Sequence, residues 1–375
     1  MKDFSLPDRT ILLTVAGSRA YGMHTAESDL DIKGVFVPPL KYYFGTKSIE
    51  QIDDKEELEH FKSNLTTYQL LVKGKNGMEG TVFEIRRFLD LAAGANPNIL
   101  DALFCREEEV ILNTIHGLHL RKERKRFLTK KAAQTFVGYA TSQAKRIETH
   151  RKWLLNPPEH EPTREEFGLP KRDEYPQDQV MAAMDTVKKQ VDRWNIDFVD
   201  VDEATKIFIQ DQIYKQLAEI GVSADEKFNA AGRLLGIETN FMDLVHKQRK
   251  YTQAVEHWAA FQSWKTNRNK KRKGMEEKIG YDCKHGAHLY RLTMACRSIF
   301  ETGDLCVYNP DPYLMKIRNG EVPFEELMDK FEEQRENLSM IAAKSSLPAR
   351  VDPKWLEEMS IEIIKDMNKS EIYDN

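Results

Sequence analysis

No apolar run in this chain approaches the ~20 residues that cross a bilayer, and the opening MKDFSLPDRT lacks the apolar core of an export signal. Both absences lead us to expect a cytoplasmic protein. The four cysteines, Cys105, Cys283, Cys296 and Cys306, never take CxxC spacing, which argues against a zinc ribbon and a disulfide framework. There is no internal repeat, and neither sign of charge dominates. The net charge of −4 gives by itself no indication of a nucleic-acid partner. What remains, 41% hydrophobic and 31% charged residues over 375 positions, describes a soluble globular chain long enough for two domains.

The near-neutral total hides a local asymmetry. From Gly117 to Trp153 eleven Lys/Arg face two acids, Glu123 and Glu148, and Lys265 to Lys273 carries six Lys/Arg and no acid. Basic runs are most often solvated helix faces. The other reading is an electrostatic track for RNA along 121–152 and 265–273.

The most specific stretch is TVAGSRAYGMHTAESDLDIKGVFVP, Thr14 to Pro38. Gly17 and Ser18 follow a strand-like run, Ile11 to Ala16, and a glycine at a strand exit lets backbone approach a phosphate with no Cβ in the way. Asp29 and Asp31 alternate with Leu30 and Ile32, so both carboxylates emerge on one face of a strand. Two such carboxylates suit Mg²⁺ (or Mn²⁺) carrying a triphosphate, and a third is expected on a neighbouring strand. Glu84, where a strand hands over to the helix starting at Ile85, is the favoured third ligand. Glu79 is its rival.

Strand-like runs at Ile11 to Ala16, Leu30 to Val37 and Thr81 to Glu84 precede an almost wholly helical remainder. The spacing predicts helices over Glu84 to Ala93 and Ile99 to Phe104, the second capped by Asn98, and a basic helix over Phe127 to Leu155. Further helices are expected over Gln179 to Trp194, Glu203 to Ile220, Phe241 to Trp264, His285 to Phe300, Phe324 to Ala343 and Pro353 to Met367, with a frayed tail from Lys369 to Asn375. The expected fold is therefore α+β: an N-terminal α/β domain with a small mixed sheet over 1–120, followed by a larger all-helical domain over 121–375.

Gly-Ser followed by Asp-x-Asp resembles the nucleotidyltransferase superfamily that contains DNA polymerase beta and kanamycin nucleotidyltransferase. GSRAYGMHTAESDLDIKGVFVPP is more closely similar to the predicted RNA ligase-associated nucleotidyltransferases of bacteria and phages. That similarity extends to FEIRRFLDLAAGANPNILDALF, from Phe83, and to YDCKHGAHLYRLTMACRSIFETGDL, from Tyr281. The resemblance implies metal-dependent transfer of NMP from an NTP to an acceptor, with RNA end repair or modification as the expected chemistry, and Ser18 contacting the terminal phosphates. It also implies that the glutamate of Phe83-Glu84-Ile85-Arg86 is retained as a ligand, and it marks Asn96-Pro97-Asn98 as a family feature that physics alone reads as a helix stop and cap. An acceptor that is a protein or small molecule, and a nucleotide-binding regulator without turnover, are the alternatives.

Other candidates surround this motif. Arg19, inside the turn, has the geometry to grip a β- or γ-phosphate, and Tyr21 either stacks on a base or fills space beneath the turn. Lys284, His288 and Arg291 stand at i, i+4 and i+7, a cationic helix stripe read as facing the nucleotide or the acceptor, the bland alternative being a solvated helix face. His285 falls on the adjacent apolar stripe with Leu289, Leu292, Cys296 and Ile299 and reads as a core-edge histidine. Metal binding by His285 and His288 lacks an HExxH glutamate or a third ligand.

Overall fold

The computed structural model describes residues 3–171, 176–193, 224–268 and 270–373. It divides into two compact units: Met1–Lys145 with Cys283–Asn375, and Arg146–Asp282. The packing thus differs from a division at residue 120, because the boundary falls within a helix and the C-terminal segment rejoins the first unit. The class is α+β, a small mixed sheet followed by helices.

Five strands carry the first unit: β1 (Thr10–Ala16), β2 (Leu30–Phe36), β3 (Gln51–Ile52), β4 (Met78–Glu84) and β5 (Val110–Asn113), in the order β3-β4-β2-β1-β5. β1 pairs antiparallel with β2 and β5, whereas β2 and β4 run parallel. The apolar run TILLTVA is buried along almost its whole length because β1 lies inside the sheet.

Register sorts the side chains into two faces. Ala16 lies opposite Asp31 and Thr14 opposite Lys33, while Asp31 is beside Glu79 and Lys33 beside Thr81. Alternation then puts Leu13, Val15, Leu30, Ile32, Phe36, Met78 and Val82 on the reverse face, where they form a core with Leu58, Phe61 and Val72. One face is greasy and the other chemical.

Most of the longer helices follow the expected periodicities, whereas Thr67–Asn76, Ile115–Lys122, Ala224–Leu234, Lys270–Ile279 and Pro312–Arg318 are additional to the expected ones. α1 (Gly17–Ala20) is a single turn, α2 spans Ile85–Ala93, α3 Pro97–Phe104, α4 Lys131–Leu155 and α5 Gln177–Arg193. α6 spans Ala224–Leu234, α7 Thr239–Asn267, α8 Cys283–Thr302, α9 Pro312–Arg318, α10 Phe324–Lys344 and α11 Pro353–Met367. The cap of α3 is Asn96, whose side chain accepts from the Asn98 N–H at 3.0 Å, not Asn98 itself. Proline at the next position sets the helical φ, so the start shifts back two residues from the expected one. The expected helix Glu203 to Ile220, and Trp194 at the end of another, lie outside the described residues.

The tail is anchored rather than frayed as far as Tyr373. Arg9 donates to Asn368 Oδ1 at 2.7 Å and Glu371 Oε1 at 2.6 Å, and Glu371 also accepts from the Leu40 N–H. Asn368, fully buried, donates to the Pro38 carbonyl. The second unit has its own core of Leu169, Val180, Val187, Phe228, Ala231, Met242 and Val245, contributed by α5, α6 and α7 and the segment before them.

Candidate active site

On the chemical face of the sheet lies a cavity of about 700 Å³, lined by Gly17, Ser18, Tyr21, Asp31, Lys33, Glu79, Lys284, His288 and Arg318 among others. All of these belong to the first unit. Gly17 leaves β1 at φ +63°, and a Cβ there would fall 1.9 Å from Asp31 Oδ2. Only glycine permits the backbone to lie against this carboxylate.

Asp31 is crowded by charge. Burial raises its pKa to about 6, Asp29 and Glu79 push in the same direction, and Lys284 and Lys33 oppose them. Asp29 precedes β2 by one residue and shares the parity of Asp31; it acts on Asp31 electrostatically together with Glu79, but of the three only Asp31 and Glu79 line the cavity. Among the described residues no group of three or more His, Cys, Asp or Glu side chains is arranged to hold a metal ion. The donor set nevertheless fits a hard divalent cation in chemistry: oxygen ligands only, mutually repelling, beside a glycine that leaves the approach open.

Glu84 does not join this corner. It differs from Glu79 by an odd number of positions and therefore points to the core face, and its register partner is Phe36, roughly 17 Å along the strand from the Asp31 pair. It is 3% exposed and caps α2, accepting from the Arg86 and Arg87 N–H groups at 3.0 and 3.1 Å. Its position builds a helix start away from the cavity. Glu79, beside Asp31 in the parallel ladder, is the carboxylate that lines the cavity, and it pairs with Lys55 at 3.0 Å.

The predicted cations divide in the same way. Lys284 and His288 line the cavity from the first turns of α8, as the stripe suggested. Arg291, one turn further, is 2% exposed and pairs with Asp101 of α3 at 3.1 Å, so it lies beneath the floor. Arg19 likewise does not line the cavity: its Nε and Nη2 donate to the carbonyls of Asp29 and Ser28 at 3.0 and 2.6 Å. It holds the entry to β2 in place of a phosphate. Tyr21 is buried, donates to Asp101 Oδ2 at 2.9 Å and lies under the Arg291 guanidinium, 3.7 Å from ring centroid to Cζ. The space-filling reading fits it. His285 meets Gln143 Oε1 at 3.0 Å through Nδ1 and also reaches the cavity wall.

Lys33, Asp101 and Arg318 escaped the sequence reading. Lys33 continues the alternation of Asp29 and Asp31, a signal that was present in DLDIK. Asp101 is a lone acid in the apolar helix PNILDALF, which could have marked it as the partner of a buried cation. Arg318, at the end of α9, carries no signal of its own in the sequence.

The basic runs are partly structural. Arg121 is buried against Glu107 and the Cys105 carbonyl, Lys125 pairs with Asp304, and Arg126 packs over Trp355. Further along, Arg146 and Lys152 are exposed. In the second run Arg268 pairs with Glu276 and Glu277, while Asn269 and the side chains of 270–272 lie outside the described residues.

Among known proteins, an uncharacterized 38.9 kDa protein from the nrdC-mobD intergenic region of Enterobacteria phage T4 is 22% identical over 375 residues, covering 96% of this chain and 99% of the phage protein. No solved structure matches. The family model of the RNA repair pathway DNA polymerase beta family, RlaP, matches residues 4–156, the stretch that holds the whole sheet, Gly17-Ser18 and the carboxylates. Lys284, His288 and Arg318 enter the cavity from beyond that match. By this match residues 4–156 are similar to the RNA repair pathway DNA polymerase beta family.

Proposed function

We propose that the protein is a metal-dependent nucleotidyltransferase that moves NMP from an NTP to RNA, releasing pyrophosphate. The observation that carries this reading is the juxtaposition of Gly17-Ser18 with Asp31 and Glu79 in one cavity, with Asp29 acting on Asp31 from just before β2, opposite Lys284 and His288. Asp29, Asp31 and Glu79 would hold Mg²⁺ or Mn²⁺, which when bound neutralises phosphate charge and activates the incoming hydroxyl. Gly17 and Ser18 offer close backbone approach and a hydroxyl to the phosphates. Lys284 and His288 add positive charge on the facing wall, where it favours the anionic substrate.

RNA as the acceptor rests on the family description and on exposed cations such as Arg146 and Lys152, whereas Arg121 is buried and serves the fold. Incubation with α-labelled NTPs, Mg²⁺ and total RNA tests the acceptor. Label in RNA is expected; label in protein or a small molecule would keep the nucleotidyltransferase and change its substrate. Nucleotide binding without any label transfer would instead make the chain a nucleotide-binding regulator.

A further inference from the structure

Lys33 stands on β2 two residues beyond Asp31, on the same face, and its side chain enters the cavity wall. It is half-buried, and among the described residues no hydrogen bond or ion pair holds its ammonium. A cation drawn out of water without a partner costs free energy, so its presence calls for an explanation. The charges that face it are Asp101 and Asp31, which attract it, and Arg291, which repels it.

Neither carboxylate can serve as its full counter-ion. Asp101 already accepts from Arg291 Nη1 through both oxygens, at 3.3 and 3.1 Å, and from the Tyr21 hydroxyl. Asp31 belongs to the cluster with Asp29 and Glu79. Arg291 itself leaves Nε and Nη2 buried without hydrogen-bond partners. The floor of the cavity therefore holds two cations around one carboxylate, and it offers positive potential to whatever occupies the space above. We infer that Lys33 is a binding residue for the polyphosphate of the substrate, its ammonium donating to phosphate oxygens from the strand side while Lys284 and His288 face it from α8. This inference deepens the nucleotidyltransferase reading and rests on it.

Calorimetric titration with inorganic tripolyphosphate in Mg²⁺, which needs no knowledge of the base, tests it on wild type, Lys33→Met, Lys33→Arg and Lys47→Met. Lys47 is exposed and outside the cavity. The expected result is a Kd raised tenfold or more in Lys33→Met, a loss of about 1.4 kcal/mol, mostly restored in Lys33→Arg and absent in Lys47→Met. Thermal unfolding of Lys33→Met should be unchanged or raised, since a half-buried cation with no hydrogen-bonded partner has been removed. Unchanged affinity in Lys33→Met would overturn the inference alone, as would a lowered midpoint with unchanged affinity, which would make Lys33 a structural counter-ion. Failure of wild type to bind tripolyphosphate would remove the nucleotidyltransferase reading together with it.

Discussion

Asp31 carries the electrostatic load of the site. With a folded pKa near 6 against 3.8 in the unfolded chain, the native state binds this proton more tightly. Its contribution to stability is therefore most favourable below about 4, declines as pH rises from about 4 to about 6, and its penalty is complete at neutral pH. Asp31→Asn should raise the unfolding midpoint at pH 7, by on the order of 1 kcal/mol after solvent screening, and the advantage should vanish near pH 4. Unfolding of the two proteins across that range measures the difference. The same variant should lose metal-dependent transfer by a factor of roughly 10² or more, because a stabilised fold and a missing ligand are independent consequences of one carboxylate.

At the scale of elements, the turn after β1 and the start of the α8 stripe were readable in the sequence, and which glutamate of β4 lies beside Asp31 was not. Strand–helix handover drew attention to Glu84, but the parallel register of β2 with β4 is a tertiary fact, and it is the register that brings Glu79 beside Asp31. Likewise the i, i+7 spacing placed Arg291 on the stripe with Lys284 without revealing that α3 closes over it. Gly17→Val should weaken nucleotide binding at least tenfold in a titration, because its Cβ would occupy the space of the Asp31 carboxylate. Arg291→Met should act differently. Leaving Asp101 buried and unpaired, it should cost about 3–5 kcal/mol in chemical denaturation, with activity falling only as the folded fraction falls. A loss of transfer in fully folded Arg291→Met would return that residue to the substrate.

Across the whole molecule, α+β class and most helices could be read from periodicity, because apolar spacing reports local burial. Long-range closure could not. The ion pair of Arg9 with Glu371 and the burial of Asn368 join the two ends of the chain, and no local pattern encodes such a partnership. The basic segments show the same limit, since the buried Arg121 is indistinguishable in sequence from the exposed Arg146 and Lys152. Charge reversal at Arg146 and Lys152 should weaken RNA binding and flatten its salt dependence, the log–log slope falling by roughly 0.7 for each phosphate that the protein no longer neutralises. NTP affinity should not move. Salt-titrated binding of single-stranded RNA to both variants checks this, and undiminished RNA affinity would direct attention away from α4.

Asp29, Asp31 and Glu79 form the proposed catalytic corner, and Glu84 stands outside it. Mg²⁺-dependent transfer of label from α-labelled NTP in Glu79→Gln and Glu84→Gln, with the folded fraction of each measured alongside, tests that assignment most directly. Near-complete loss is expected in folded Glu79→Gln. For Glu84→Gln the expectation is transfer within a few-fold of wild type per folded molecule, with stability lowered by about 1 kcal/mol through the weakened cap of α2. Full activity in Glu79→Gln together with abolished transfer in folded Glu84→Gln would reverse the assignment and move the catalytic corner to the far end of β4.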